Sequence, residues 1–145
     1  MPPPSRTPQS KRLILAALAI IATGAALALI SAVRGASIRT AARKLQNPTH
    51  ATAESLVDSK DTYERNCADC HGAAGDGQGS KARSLWKTPT DFQHSRETKR
   101  ESDGELYWSI TRGSWPMPAF DQRLDDTARW QLVNFLRTFS KNESN

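Results

Sequence analysis

Residues 67–71 read Cys67-Ala68-Asp69-Cys70-His71, and Gly72 follows. Two thiols three residues apart with an imidazole directly behind them have the spacing of c-type haem attachment. Each thiol adds to one vinyl group of a haem, and the tether this makes leaves the next side chain beneath the iron. His71 can then supply a neutral imidazole nitrogen as the proximal ligand. The chain has only two cysteines, and both lie inside the motif. The remainder of the sequence is therefore read as what surrounds such a group.

Three other uses of the motif compete. A thioredoxin-like dithiol wants a βαβ surrounding, and none is visible. Structural zinc needs four ligands, commonly a cysteine pair and a spaced histidine pair. The other histidines are His50 and His94, and Cys70 and His71 are too close in sequence to share one metal comfortably. A disulfide would leave His71 without a role.

The N-terminal part has a different character. From Leu13 to Val33 there are 21 residues without a charge. As a helix rising about 1.5 Å per residue they reach roughly 31 Å, the thickness of a hydrocarbon core. Residues 13–33 are thus expected to form a single uncleaved membrane span after a short tail (residues 1–12), whose proline-rich start is expected to be disordered. A cleaved signal peptide is the rival, but its apolar region would run only about 7–15 residues. The net charge of +5 needs the same division. Residues 1–44 hold seven basic groups and no acidic one, so residues 45–145 carry 13 basic and 15 acidic groups. The basic excess flanks the span and leaves no basic domain face, which excludes nucleic-acid binding.

Residues 34–56 read as a juxtamembrane linker broken at Asn47-Pro48, with His50 exposed in it. A folded domain is expected over residues 57–145. Asp58 or Ser59 is expected to cap a helix running towards Cys67, with Tyr63, Cys67 and Cys70 on one face. The run Gly72 to Gly79 resembles a phosphate loop, but no strand precedes it and Gly79-Ser80-Lys81 has the wrong order. It is read as a tight turn whose glycines take positive φ. Leu85, Trp86 and Phe92 are expected to cover the haem, and the Pro89 carbonyl to accept the proximal imidazole N–H.

Ser102-Asp103-Gly104-Glu105 is a capping box opening a helix that Gly113 closes. Prolines 116 and 118 hold Met117 on an extended path, and it is the only methionine besides the first residue. Its soft thioether suits the sixth position on iron; His94 or an open position are the alternatives. A last helix starts near Asp125. Its Ala128, Leu132, Phe135, Leu136 and Phe139 form an apolar stripe that Trp130 and Val133 widen, expected to meet the Tyr63 helix.

Residues 57–140 resemble class I cytochromes c, in particular the small monohaem domains related to the haem subunits of cbb3-type oxidases. The likeness rests on Tyr63, the 67–72 motif and its glycines, Glu105-Leu106-Tyr107 with Ile110 and Gly113, residues 116–120, and Trp130 with 132–136. Ser59 and Thr62 depart from it, standing where glycine and leucine are common. The resemblance implies an all-α fold around one covalent haem c held by Cys67 and Cys70, with His71 and Met117 as axial ligands. It also implies electron carriage outside the cytoplasm. The haem domain is then expected on the periplasmic side of a bacterial inner membrane, passing single electrons between redox proteins in or at that membrane. A fixed haem subunit of a larger oxidoreductase complex and a haem-based gas sensor are the alternatives.

Overall fold

The computed structural model describes residues 8–140, and its regular elements are all helical. The proline-rich start and the polar end Lys141-Asn142-Glu143-Ser144-Asn145 lie outside the described residues. The chain divides at Thr40/Ala41 into two compact units.

The first unit is nearly all of α1 (Pro8–Arg43), 36 residues long. The uncharged stretch has no polar face: Leu13, Leu15, Leu18, Ile20, Ile21, Leu27, Leu29 and Val33 all stay exposed. Its Thr23 and Ser31 hydroxyls donate to the helix's own carbonyls, of Ile20 (2.8 Å) and Leu27 (2.9 Å). Side-chain donors in this stretch are thereby satisfied inside the helix, as a hydrocarbon surrounding requires. The helix continues past the uncharged run, into residues read from sequence as linker.

The second unit contains α2 (Ala53–Asn66), the single turn α3 (Ala68–His71), a short 3₁₀ turn (Ala82–Ser84), α4 (Arg96–Arg100), α5 (Asp103–Arg112) and α6 (Asp126–Phe139). The start of α2 corrects the sequence reading, which placed the cap at Asp58 or Ser59. Thr52 is the cap: its hydroxyl accepts the Ser55 N–H at 3.1 Å, and Ser55 Oγ accepts the Thr52 N–H at 2.9 Å. That reciprocal pair satisfies donors which Asp58, exposed on the helix surface, does not reach. Ser59 is buried, and its hydroxyl folds back onto the Ser55 carbonyl at 2.6 Å. A small polar side chain at this position therefore leaves no unsatisfied group in the interface.

The caps of α5 and α6 are as read. Ser102 and Glu105 form the box on α5. Asp125 Oδ1 accepts the Ala128 N–H at 2.7 Å to start α6. Losing an N-cap of this kind costs about 1 kcal/mol. Asp125→Ala is accordingly expected to lower the thermal midpoint by about 5 °C, read by circular dichroism, with the visible spectrum unchanged.

The core collects Tyr63, Phe92, Leu106, Ile110, Phe120, Trp130, Leu132, Val133 and Leu136. The α6 stripe meets α2 as expected: the Tyr63 ring sits 5.4 Å from Phe135 and 5.3 Å from Phe139 between centroids. On the opposite side, Tyr107 of α5 stacks on Trp130 at 4.0 Å. Beside them Arg129 is buried, yet its charge is matched by Asp126 and a hydrogen bond to Thr111 Oγ1 at 2.9 Å. Pairing of this kind is what makes a buried cation tolerable. Helices α2, α5 and α6 thus form the frame on which the loops between them hang.

Candidate haem site

Between these helices lies an apolar cleft lined by Tyr63, Cys67, His71, Phe92, Ile110, Met117, Phe120, Leu132 and Leu136. Its walls come from α2, α3, α5, α6 and two loops. No carboxylate or cation is among the lining residues.

At the cysteine end, α2 stops because Cys67 leaves helical geometry (φ −124°, ψ −35°), although its N–H still reaches the Tyr63 carbonyl at 2.8 Å. One new turn, α3, then carries Cys70 and His71. The expected single face of Tyr63, Cys67 and Cys70 is therefore broken at Cys67: Tyr63 and Cys67 line the cleft, while Cys70 is half-buried on α3. Both cysteines are free thiols in the structure. Burial, with Cys70 beside it, pushes the Cys67 thiol up to about 12. It stays protonated at neutral pH, a poor start for thiolate metal binding or dithiol redox exchange. Among the described residues no three His, Cys, Asp or Glu side chains gather to hold a metal, so the zinc reading also loses support.

The glycine loop folds back on α3. Amides of Gly77, Gly79 and Lys81 donate to the carbonyls of His71 (2.8 Å), Cys70 (3.2 Å) and Asp69 (2.7 Å). These are the carbonyls that the end of a helix leaves without partners. Gly72, Gly75 and Gly77 take positive φ, as read. Gly79 serves differently: a Cβ there would stand 2.3 Å from the Asp69 carbonyl oxygen. Closeness to the backbone under the haem motif, and not an unusual dihedral, requires a glycine at that position.

His71 is oriented from behind. Its Nδ1 lies 3.1 Å from the Thr90 carbonyl oxygen; a carbonyl only accepts, so Nδ1 carries the proton and Nε2 keeps its lone pair. Burial lowers the imidazole's pKa, opposed by the Thr90 bond, which favours the neutral ring a metal ligand needs. The sequence reading gave this role to Pro89. Its carbonyl instead faces the glycine loop, 2.8 Å from where a Gly77 Cβ would be. Nothing in the local sequence separates the two carbonyls, because the choice depends on which side of the strand-like loop the ring approaches. Phe92 stacks on the imidazole at 4.8 Å and lines the cleft. Trp86, expected beside it, is 73% exposed, and Leu85 is not part of the lining.

Met117 stands in the same cleft as His71, although the two are far apart in sequence. Gly113 ends α5 at φ 64°, ψ 179°. A two-bond pairing follows: Ser114 N–H to Met117 O at 3.0 Å and Met117 N–H to Ser114 O at 2.9 Å. Phe120, buried, closes the loop by donating its N–H to the Ile110 carbonyl at 3.2 Å. His94, the rival sixth ligand, lies outside the lining, and its Nδ1 is 2.8 Å from Asp91 Oδ2. His50 is exposed.

The residues fit a haem: an apolar cleft with a thiol on its wall and a neutral imidazole and a thioether among its lining residues. Tyr63 contributes a detail the sequence reading missed, donating its hydroxyl to the Gly72 carbonyl at 2.8 Å. That bond ties α2 to the loop beyond the motif. A tyrosine in a buried helical stripe is the signal for such a partner, since its hydroxyl cannot stay unsatisfied.

The family model for cytochrome c oxidase, cbb3-type, subunit III matches residues 54–136. Among solved structures, a chain of the Kuenenia stuttgartiensis reducing HAO-like protein complex is similar, with a TM-score of 0.59 and 27% identity. The match covers 66% of the present chain and 49% of that one, so this chain spans about half the length of its structural relative. No curated protein matches.

Proposed function

Given that the chain belongs to the family of cytochrome c oxidase, cbb3-type, subunit III, we propose that it is a membrane-anchored cytochrome c carrying single electrons between redox proteins. In this reading Cys67 and Cys70 each form a thioether to one haem, and His71 and Met117 are the axial ligands. When bound, haem c supplies a one-electron ferric/ferrous couple. The chain's own contribution is to fix the His71 tautomer through Thr90, to aim Met117 from between two prolines, and to exclude water with Phe92, Phe120, Leu132 and Leu136.

The observation that carries the reading is the convergence of Cys67, His71 and Met117 on one apolar cleft. With His71 and Met117 both holding a bound haem iron, no position would be left open for a substrate or gas, which would favour electron carriage over sensing. The α1 helix, with an 18-residue window of mean hydropathy 2.7, supports a single-pass anchor. Covalent haem chemistry in the family supports a haem domain on the periplasmic side of the inner membrane.

A second reading, a fixed haem subunit of a larger oxidoreductase, is favoured by the structural relative, which belongs to a multiprotein complex. Copurification in mild detergent separates the two.

The covalent attachment is tested by denaturing the purified protein in acidified acetone. The pigment is expected to stay with the polypeptide at one haem per chain by mass, and a Cys67→Ser/Cys70→Ser variant to lose it. Pigment released from the unaltered chain overturns the reading.

A further inference from the structure

Residues 41–49 pack on α5 and α6. Residues from Ala41 onward belong to the second compact unit, and several contacts hold the first of them. Ala42 is only 2% exposed. Gly104, in the first turn of α5, lies so close that a Cβ there would stand 2.0 Å from the Ala42 carbonyl oxygen and 2.8 Å from Leu45 Cβ. Arg43 Nε donates to Glu105 Oε1 at 2.7 Å, and that carboxylate is only 11% exposed. Further along, Asn47 Nδ2 donates to Asn134 Oδ1 on α6 at 2.9 Å, and Asn134 Nδ2 donates to Thr49 Oγ1 at 3.0 Å. Thr49 closes the ring by donating its N–H to Asn47 Oδ1 at 2.9 Å.

We propose that residues 41–49 are a strap fastened across α5 and α6, which shortens the tether and restricts the haem domain to partners held in the same membrane. This rests on the membrane-anchor reading. A free linker over residues 34–56 would reach roughly 80 Å at full extension, whereas residues 34–40, helical in α1, reach roughly 10 Å. A tether raises the local concentration of a partner only within its span. A freely diffusing acceptor is met equally well on either tether. The strap therefore matters only if the partner presents its redox centre close to the bilayer.

The test uses the full haem-loaded chain in phosphatidylcholine vesicles bearing a headgroup-attached dye that the haem quenches. A flexible Gly/Ser insertion of about twenty residues is placed either between Ser37 and Ile38 or between His50 and Ala51. The first is expected to reduce quenching severalfold. The second adds slack behind the strap and is expected to leave quenching as in the unaltered chain. Equal effects from the two insertions overturn the proposal.

Limited trypsin digestion reads the strap without reference to a membrane. Cleavage after Arg43 and Lys44 is expected to be roughly tenfold slower than after Arg34, because it needs the strap to open. Gly104→Ala favours the α5 helix while its methyl meets the Ala42 carbonyl, so it is expected to abolish that protection. Equal rates at Arg34, Arg43 and Lys44 in the unaltered chain overturn the strap. A chain that keeps the protection but does not sediment with vesicles overturns the anchor and the partner restriction, and leaves the strap standing.

Discussion

Met117→Ala removes the far-red sulfur-to-ferric-iron absorption band and lowers the midpoint potential by on the order of 0.2 V, a fraction of the range that axial ligands command. The variant also binds carbon monoxide rapidly in the ferrous form, because its sixth position is open. His94 is not expected to replace the lost ligand. It sits outside the cleft lining, with its ring nitrogen against Asp91, and bringing it inward would sacrifice that contact. The measurements are a visible spectrum and a redox titration of both proteins. An unaltered protein without the band, or a variant that retains it, removes Met117 as ligand. The effect is expected to fall on the haem and only weakly on the fold, since Met117 packs at the edge of the core and not within it.

Gly113→Ala is expected to disturb the same ligand from a distance. Its dihedrals, φ 64° and ψ 179°, fall in a region that only glycine occupies without strain of about 1–3 kcal/mol. A Cβ would also lie 2.5 Å from the carbonyl carbon and oxygen of Pro118 and 2.6 Å from Ala119 N. Those are backbone atoms of the loop that carries Met117, so relief of the clash has to move that loop. The thermal midpoint is expected to fall by about 10 °C and the far-red band to weaken or vanish, although every ligand is still present. A variant with unchanged melting and an unchanged band shows that the loop is not held by this close approach.

The chemistry of the site is legible in the sequence because it is local. Five consecutive residues, 67–71, carry the spacing of covalent haem attachment and a candidate iron ligand. The caps of α5 and α6 are legible for the same reason: Ser102 with Glu105, and Asp125 with the Ala128 N–H, act across three residues. Thr52 escaped notice because its partner is Ser55 instead of the more telling glutamate or glutamine. The α6 stripe is legible from its period, and it meets the Tyr63 helix as expected.

Where residues distant in the chain come together, the sequence left several answers open and the packing chose among them. Met117 shares a cleft with His71, and His94 does not, because Gly113 and the Ser114–Met117 pairing turn one loop inward while Asp91 keeps His94 at the surface. Thr90 instead of Pro89 meets the imidazole, since the glycine loop takes up the other carbonyl. Ala42 is buried and Asn47 and Thr49 are half-buried because Gly104 lacks a side chain and Glu105 and Asn134 supply partners. Sequence alone determined what could bond covalently, which segments would coil and where coils would begin; those depend on neighbours a few residues away. Tertiary structure decided which candidate ligands meet and how much of residues 41–49 packs on the helices, because such contacts arise only when the apolar faces of α2, α5 and α6 close on one another.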